Sequence, residues 1–212
     1  MNMRWLTCFL FIVAVPSLSF AASFDCSKAK SKIELSICSD AELSALDDRL
    51  SLAYKAAVKS HPVKNYVKST QKVWLDEIRG CSGDCLGFWK KSYSERINEL
   101  TLSSNVVVFS SSEEFSYASG DAVVEIIPEG TLFKFKIWGG FKQHQVASKD
   151  AGKPMYTGCS FIGHTKDLGS GIALDRNNSV KFKIQGNTLD IISESGVCEG
   201  FGSLPERFFK RQ

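Results

Sequence analysis

The apolar residues between positions 24 and 100 recur at three- and four-residue intervals, which is the spacing of amphipathic helices. Residues 39–40 can cap one helix, and the proline after His61 ends it, because proline cannot continue a helix. A second helix ends at Gly80, and a shorter one is expected around residues 29–35. The residues predicted to face the helical core are Leu43, Leu46, Leu50, Ala53, Tyr54, Ala57, Val67, Trp74, Ile78, Leu86, Trp89, Tyr93, Ile97 and Leu100.

Beyond residue 101 the apolar residues follow a period of two, which is typical of strands with one buried face. Apolar residues alternate with lysines in two runs, 133–137 and 180–184. Gly186 stands at the first central position of a two-residue turn, which favours a hairpin of type II′. Residues 127–130 indicate a second turn. Because the strands follow one another without helical spacers, we expect an antiparallel sheet that forms either a sandwich or a barrel.

The first residues of the chain have the pattern of a secretory signal peptide. Arg4 is the only charge before an apolar run over residues 6–15, and small residues lead to Ala21. That run is about half of the ~20 residues that span a bilayer, so we expect cleavage near Ala21 and no integral membrane protein. The expected location is the periplasm or the medium.

The predicted class is therefore α+β. A disulfide-stapled helical hairpin or bundle precedes a small antiparallel β-sandwich or barrel. The predicted divisions are a signal peptide at 1–21, a helical domain at 22–102 and an antiparallel β domain at 103–212.

Six cysteines follow the predicted cleavage site, an even number that indicates disulfides in an exported protein. They are Cys26, Cys38, Cys81, Cys85, Cys159 and Cys198. Zinc at Cys81 and Cys85 is not favoured, because no histidines stand at suitable spacing to complete a structural site. A redox pair is not favoured either, since three residues separate these cysteines and no βαβ pattern surrounds them. Cys159 and Cys198 are expected to pair within the β domain.

Two pairings of the first four cysteines remain open. If the two long helices form an antiparallel hairpin, Cys38 lies near Cys81, and Cys26 then pairs with Cys85. We favour this long-range pairing, which closes long loops and could contribute about 3–4 kcal/mol for each bridge. The alternative pairs Cys26 with Cys38 and Cys81 with Cys85.

The same hairpin geometry brings Asp47 toward Arg79. A carboxylate and a guanidinium can bind each other in a bidentate manner, so we predict a structural ion pair. A catalytic role for Asp47 is less favoured, because no second carboxylate or nucleophile is placed to act with it.

The helical half resembles the N-terminal domain of the LprI lysozyme-inhibitor family over residues 24–100. The residues that carry the resemblance are Cys26, Glu34, Leu35, Ser36, Ile37, Cys38, Leu43, Leu46, Asp47, Leu50, Tyr54, Gln71, Trp74, Leu75, Arg79, Cys81, Cys85, Tyr93, Arg96, Ile97 and Leu100. The resemblance implies a small exported helical domain and, from the members that gave the family its name, inhibition of lysozyme. The β half looks more loosely like small disulfide-bonded β inhibitor domains of bacterial envelopes.

Charge and motifs restrict the function. The net charge is +3, which gives no indication of nucleic-acid binding. The sequence has no Gly-x-Ser-x-Gly elbow, no paired metal-ligand histidines and no cysteine left over as a nucleophile. We therefore expect neither an enzyme nor a bound cofactor or metal.

The favoured hypothesis is an exported protein that binds and inhibits an envelope-acting hydrolase, most simply a lysozyme. Such an inhibitor needs a rigid scaffold and a protruding loop, because preorganisation lowers the entropy cost of binding. The candidate loops are residues 139–145 and 158–171. The residues expected to contact the partner are Trp138, Phe141, His144, His164 and Lys166.

Two alternatives to lysozyme inhibition remain. An immunity protein against a periplasmic toxin would fit the mildly basic charge, because many lysozymes are themselves basic. The other alternative is a structural, glycan-binding or lipid-binding module of the envelope, whose sheet would present Lys134, Lys136, Lys181 and Lys183 to anionic groups.

Overall fold

A computed structural model describes residues 22–101, 106–116, 119–142, 156–197 and 204–212 of the chain. The predicted signal peptide lies outside these residues. A 3₁₀ turn comes first, followed by four helices: Cys26–Lys28, then α1 (Lys32–Ser39), α2 (Ala41–Ser60), α3 (Lys64–Arg79) and α4 (Leu86–Thr101). None of the described helices is long and apolar enough to cross a membrane.

Eight strands follow the helices. They are β1 (Val107–Ser110), β2 (Ala122–Glu129), β3 (Leu132–Lys142), β4 (Tyr156–Thr165), β5 (Ser170–Asp175), β6 (Asn178–Gln185), β7 (Thr188–Ser195) and β8 (Arg207–Arg211). Each strand pairs antiparallel with the next one in sequence, and β8 pairs with β1 to close a barrel. The predicted α+β class is thus confirmed, and of the two predicted alternatives the sheet is a barrel.

Local signals set the ends of the helices. The Asp40 side chain accepts a hydrogen bond from the Leu43 amide at 2.8 Å, which caps α2 where the sequence predicted. Helix α2 ends at Ser60, immediately before His61 and the following proline. Helix α1 begins after Ser31, whose side chain forms a capping box with Glu34.

The helices share one apolar core, and polar contacts fix their register. The Trp74 indole donates to Ser92 Oγ at 2.9 Å, and its ring packs edge-on against Tyr93 with centroids 5.0 Å apart. The buried Arg96 of α4 reaches back to α3, where it donates to Gln71 Oε1 and Thr70 Oγ1 at 3.0 and 2.9 Å. Because a guanidinium has five donors in a fixed plane, Arg96 joins these helices in one orientation.

The four cysteines of the helical half pair with their neighbours in sequence. Cys26 is bonded to Cys38, and Cys81 to Cys85, with Cα atoms 5.8 and 6.1 Å apart. The favoured long-range pairing is therefore wrong, and the alternative is correct. Helix α1 is only eight residues long, so the 3₁₀ turn at its start lies within reach of Cys38 in its last turn.

Asp47 and Arg79 have different partners from those predicted. The Asp47 carboxylate accepts hydrogen bonds from the Ser23 amide and hydroxyl at 3.0 and 2.6 Å and from the Tyr93 hydroxyl at 3.4 Å. Arg79 forms an exposed ion pair with Asp76, one turn earlier in α3, at 3.7 Å. Asp47 thus anchors the segment before α1 to the helical core, and the predicted Asp47–Arg79 contact is not the one observed.

The hairpin turns follow the glycine signals in the sequence. Gln185 pairs with Thr188 across the β6–β7 turn, and Gly186 has a φ of 58°. Glycine adopts a positive φ without a steric penalty, and a positive φ at the first central residue is what a type II′ turn requires.

Aromatic side chains fill the barrel. Phe109, Phe135, Phe182 and Phe208 are each no more than 1% exposed, and the rings of Phe135 and Phe182 stack with centroids 4.6 Å apart. An eight-stranded barrel has an interior that is either filled by side chains or holds one small ligand. Among the described residues the interior of this barrel is a packed core.

The helices cover the outer surface of β1, β2 and β3. Val108, Val123 and Trp138 point away from the barrel interior and belong to the same apolar core as the helices. Trp138 is 7% exposed and packs its ring against Tyr66 and Phe115, with centroids 5.6 and 5.9 Å away. The helical half and the barrel are therefore joined through a shared core.

Candidate functional site

A buried carboxylate lies at the centre of the junction between helices and barrel. Glu125 of β2 accepts a hydrogen bond from the Tyr66 hydroxyl at 2.7 Å. Its other oxygen, Oε1, lies 3.3 Å from His61 Nε2, and Lys136 Nζ lies 3.4 Å from Oε2. We call Glu125, Tyr66, His61 and Lys136 the junction cluster. Glu125 and Lys136 pair directly across β2 and β3, so the sheet itself sets the carboxylate beside the ammonium.

The surroundings of His61 determine which ring nitrogen faces Glu125. His61 Nδ1 lies 3.0 Å from the Val63 amide nitrogen and 3.1 Å from the Val63 carbonyl oxygen. The other ring nitrogen, Nε2, therefore faces the Glu125 carboxylate. The residue after His61 is proline, which restrains the chain here and holds the ring in place.

The junction cluster stabilises the charged form of Glu125. Burial acts to raise the pKa of Glu125, but the interactions with His61 and Tyr66 and the charge of Lys136 outweigh it and lower the pKa to about 2. Burial and the charge of Glu125 raise the pKa of Tyr66 well above its ordinary value, so this hydroxyl stays protonated and donates. The cluster has no net charge when His61 is neutral.

The junction cluster is buried, and its geometry indicates a structural role. The side chains of His61 and Glu125 are 2% and 8% exposed, so little of either group is accessible to solvent. The sequence pattern predicted a helix end at His61 and no functional role for Glu125. A signal was present, because Glu125 is the one charged residue within the apolar stretch 122–127. A charge in a strand that is apolar on both faces indicates a buried partner.

The uncovered side of the barrel presents an apolar surface next to the junction. Ile162 of β4 and Ile172 and Leu174 of β5 are 40%, 49% and 57% exposed. Together with His164 of β4 and Lys166 in the following turn, they form what we call the β4–β5 face. His164 pairs directly with Leu174. Exposed apolar side chains that cluster and are bordered by charges are typical of protein-binding surfaces.

An open groove of about 460 Å³ runs over the β4–β5 face. Its walls include Leu132, Lys166 and Leu174. The face also continues into the cleft beside the helices, because Ile162 contributes to that cleft together with Lys134 and Lys136. The strand register explains this continuity, since Lys136 pairs with Ile162 on neighbouring strands.

The two basic residues of the β4–β5 face differ in how they are held. His164 Nε2 lies 3.2 Å from Glu129 Oε2, and its side chain is 46% exposed. Lys166 has no hydrogen bond or ion pair with any residue that the structure describes.

The turn that carries Lys166 is held by side-chain hydrogen bonds. Thr165 Oγ1 donates to the Asp167 carbonyl at 3.0 Å, and the Gly169 amide donates to Asp167 Oδ1 at 2.8 Å. Such contacts replace the backbone hydrogen bonds that a turn lacks. The β4–β5 face thus presents Lys166 on a short ordered turn between two strands.

We predict that Gly171→Ala weakens the fold beside this turn. A Cβ atom at Gly171 would lie 2.5 Å from the Asp167 carbonyl oxygen and 2.8 Å from Thr165 Oγ1, which forces the turn to move. Such overpacking typically costs about 1–3 kcal/mol. The free energy of unfolding, measured with urea, checks this. The matched control is Gly87→Ala in α4, where a Cβ meets nothing within 4 Å and alanine favours the helix. An equal loss in both variants would contradict the prediction.

The remaining predicted contact residues are distributed as follows. Trp138 was predicted to lie in a partner-binding loop, but it belongs to β3 and is buried against the helices, because its strand position faces the helical core. Phe141 lies on β3, in a part of the strand where side chains are not described. His144 and Cys198 lie outside the described residues. Cys159 is disulfide-bonded.

The described residues offer no metal centre. No group of three or more histidine, cysteine, aspartate or glutamate side chains among them could hold a metal ion.

The chain matches no protein-family model, no curated protein and no solved structure.

Proposed function

We propose that this chain is an exported, LprI-like envelope protein that binds and inhibits a cell-wall hydrolase, most simply a lysozyme, through the β4–β5 face. The observation that carries the proposal is the groove that the exposed Ile172 and Leu174 line together with Lys166, next to the exposed Ile162 of β4. The proposed activity is binding alone, without chemistry on the partner.

The scaffold supports an inhibitory role. The barrel is closed, its described interior is packed with aromatic side chains, and the junction cluster fixes it to the helices. A rigid surface loses little conformational entropy when it binds, so more of the contact energy appears as affinity. Since the barrel interior is occupied, its outer surface is where binding can take place.

The charge of the β4–β5 face fits the active-site cleft of a glycosidase. Glycoside hydrolases, including lysozyme, act through a pair of carboxyl groups that flank the bond to be cleaved. Lys166 can pair with such a carboxylate while the neighbouring isoleucines and leucine exclude water. This local complementarity does not depend on the net charge of either protein, although two basic proteins associate more slowly.

The structure weakens one alternative, the basic sheet surface for glycans or lipids. Lys134 lies 3.7 Å from Glu129, and Lys136 lies 3.4 Å from Glu125. Of the four lysines predicted to form that surface, only Lys181 and Lys183 are exposed. An anionic glycan or lipid surface would therefore contact two exposed lysines of this sheet instead of four.

We predict that Lys166→Glu and Leu174→Asp each raise the inhibition constant against a susceptible lysozyme by about tenfold or more, since both introduce a buried charge or repulsion at the contact. The assay uses the purified oxidised mature chain against several lysozyme types and other cell-wall hydrolases. Lys210→Glu makes the same charge change on β8, across the barrel, and should leave inhibition unchanged. Circular dichroism verifies that each variant is folded.

The outcomes of this assay separate the candidate functions. No effect at micromolar concentration on any lysozyme or cell-wall hydrolase would overturn the proposal and leave the immunity protein as the next hypothesis. Inhibition that is unchanged in Lys166→Glu and Leu174→Asp would refute the β4–β5 face as the contact. Salt-sensitive binding to peptidoglycan or anionic vesicles without inhibition would favour an envelope-binding module.

A further inference from the structure

We propose that the Cys81–Cys85 bridge is a site of reversible thiol–disulfide exchange, whereas Cys26–Cys38 is a permanent structural bridge. The inference does not depend on the proposed inhibitory function. It arises from the different surroundings of the two bridges, which the spacing of the cysteines in the sequence does not reveal.

A lysine from another helix lies beside one sulfur of the Cys81–Cys85 bridge. Lys32 of α1 places its Nζ atom 3.8 Å from Cys85 Sγ. The same ammonium donates to the Gly83 carbonyl and lies 5.8 Å from the centroid of the Trp89 ring. These contacts hold the positive charge where a Cys85 thiolate would form. A neighbouring cation stabilises a thiolate and makes the cysteine a better leaving group.

The position of Cys85 relative to α4 acts in the same direction. The Trp89 amide donates to the Cys85 carbonyl at 2.8 Å, so Cys85 immediately precedes the first turn of a sixteen-residue helix. The partial positive charge of a helix N-terminus favours a thiolate there. Asp84 opposes this effect, but its carboxylate accepts a hydrogen bond from the Leu86 amide at 3.3 Å, which disperses part of its charge.

Cys38 has the opposite environment. It lies in the last turn of α1, where the partial negative charge of the helix C-terminus disfavours a thiolate. Reduction of Cys26–Cys38 therefore produces a less stable pair of thiols than reduction of Cys81–Cys85. The two bridges therefore differ in how strongly the nearby helix end stabilises a thiolate.

The exchange step follows from the burial of the two sulfurs. Cys85 is 2% exposed, whereas Cys81 is only partly buried. A thiolate of an external dithiol attacks Cys81 Sγ, and the S–S bond breaks with its electron pair on Cys85 Sγ beside Lys32. The second thiolate of the dithiol then attacks the mixed disulfide and releases Cys81. Two electrons pass to the bridge, and the dithiol becomes a disulfide.

The test follows both bridges in one molecule. The oxidised chain is equilibrated at pH 8 with dithiothreitol buffers of increasing reducing strength, quenched by alkylation and analysed by peptide mass spectrometry. Each bridge is half reduced at its own ratio of oxidised to reduced dithiothreitol. We expect this ratio to be about tenfold or more higher for Cys81–Cys85 than for Cys26–Cys38. Lys32→Met should lower the ratio for Cys81–Cys85 about threefold or more. Lys32→Arg should restore it, because the arginine keeps the positive charge.

Several results would overturn the inference. Equal reduction of the two bridges, or reduction of Cys26–Cys38 in less reducing buffers than Cys81–Cys85, would show that the surroundings of Cys85 do not favour the opening of its bridge. If the ratio for Cys81–Cys85 is unchanged in Lys32→Met, the lysine does not favour reduction of this bridge. Loss of the helical circular dichroism signal upon selective opening of Cys81–Cys85 would make that bridge structural.

Discussion

Glu125→Gln should lower the free energy of unfolding by about 3 kcal/mol at neutral pH. The pKa of Glu125 is lowered from 4.5 to about 2, and at about 1.4 kcal/mol per pKa unit this difference corresponds to about 3 kcal/mol of stability. The variant keeps the shape of the side chain but removes the charge that Lys136 faces, and it supplies a poorer acceptor to Tyr66. A loss of this size is within the range for breaking a buried ionic contact.

The same residue predicts how stability depends on pH. A carboxyl group whose pKa is lower in the folded protein contributes its full stability above the unfolded pKa near 4.5. That contribution is lost as the pH falls toward the folded pKa of about 2. The difference between wild type and Glu125→Gln should therefore be constant from about pH 7 to pH 5 and shrink toward zero near pH 2. Urea unfolding across this range measures it.

Asp190→Asn is the matched control for Glu125→Gln. Asp190 also lies on a barrel strand, also forms an ion pair, here with Arg207 at 2.6 Å, and also has a lowered pKa, chiefly through its hydrogen bonds with Arg207. Its partner is 61% exposed, so solvent screens the pair, and its loss should cost much less stability than the loss of the Glu125 charge. Equal losses in the two variants would show that burial does not strengthen the junction cluster.

Phe182→Ala should destabilise the chain by about 3–5 kcal/mol. Phe182 is 1% exposed and stacks on Phe135 inside the barrel. Its removal therefore eliminates a large transfer free energy and leaves a cavity that the closed strands cannot collapse to fill. Urea unfolding measures the loss.

Phe209→Ala separates core packing from the simple loss of a phenylalanine. Phe209 lies on β8 and is 46% exposed, so its truncation should cost about 1 kcal/mol or less. If Phe182→Ala were as mild as this control, the barrel interior would be loosely filled, and a small ligand inside the barrel would become a serious alternative to surface binding.

Features encoded by neighbouring residues were predictable from the sequence. The caps and breakers of the helices act within four residues, and Asp40, His61 and Gly80 mark helix ends as predicted. The same is true of Gly186, whose positive φ is a property of the turn alone. The α+β class followed from the change of period, because each period belongs to one type of element.

Features encoded by distant residues were not predictable. Barrel and sandwich differ in whether β8 pairs with β1, and the register of Phe109 against Lys210 leaves no local signal. The hydrogen bond between Tyr66 and Glu125 spans 59 residues. The pairing of the cysteines was predicted from an assumed proximity of helix ends, whereas the short α1 and its preceding turn brought Cys26 to Cys38 instead.

The candidate site was predicted in part. His164 and Lys166 were predicted in a loop at residues 158–171, whereas the structure places His164 on β4 and Lys166 in the turn that follows it. Ile162 and Leu174 were not predicted to be exposed, because alternation alone cannot tell which side of a strand the helices leave uncovered. The position of the helices over β1 to β3 decides that.

The pairing of Val108 with Arg211 places the chain's exit from the barrel beside its entrance. In a ring of eight strands in sequence order, the seam between β8 and β1 lies diametrically opposite the seam between β4 and β5. An affinity tag or surface linker attached after Gln212 is therefore positioned on the far side of the barrel from Lys166 and Leu174. Immobilisation through the C-terminus orients every molecule with its β4–β5 face toward the solution.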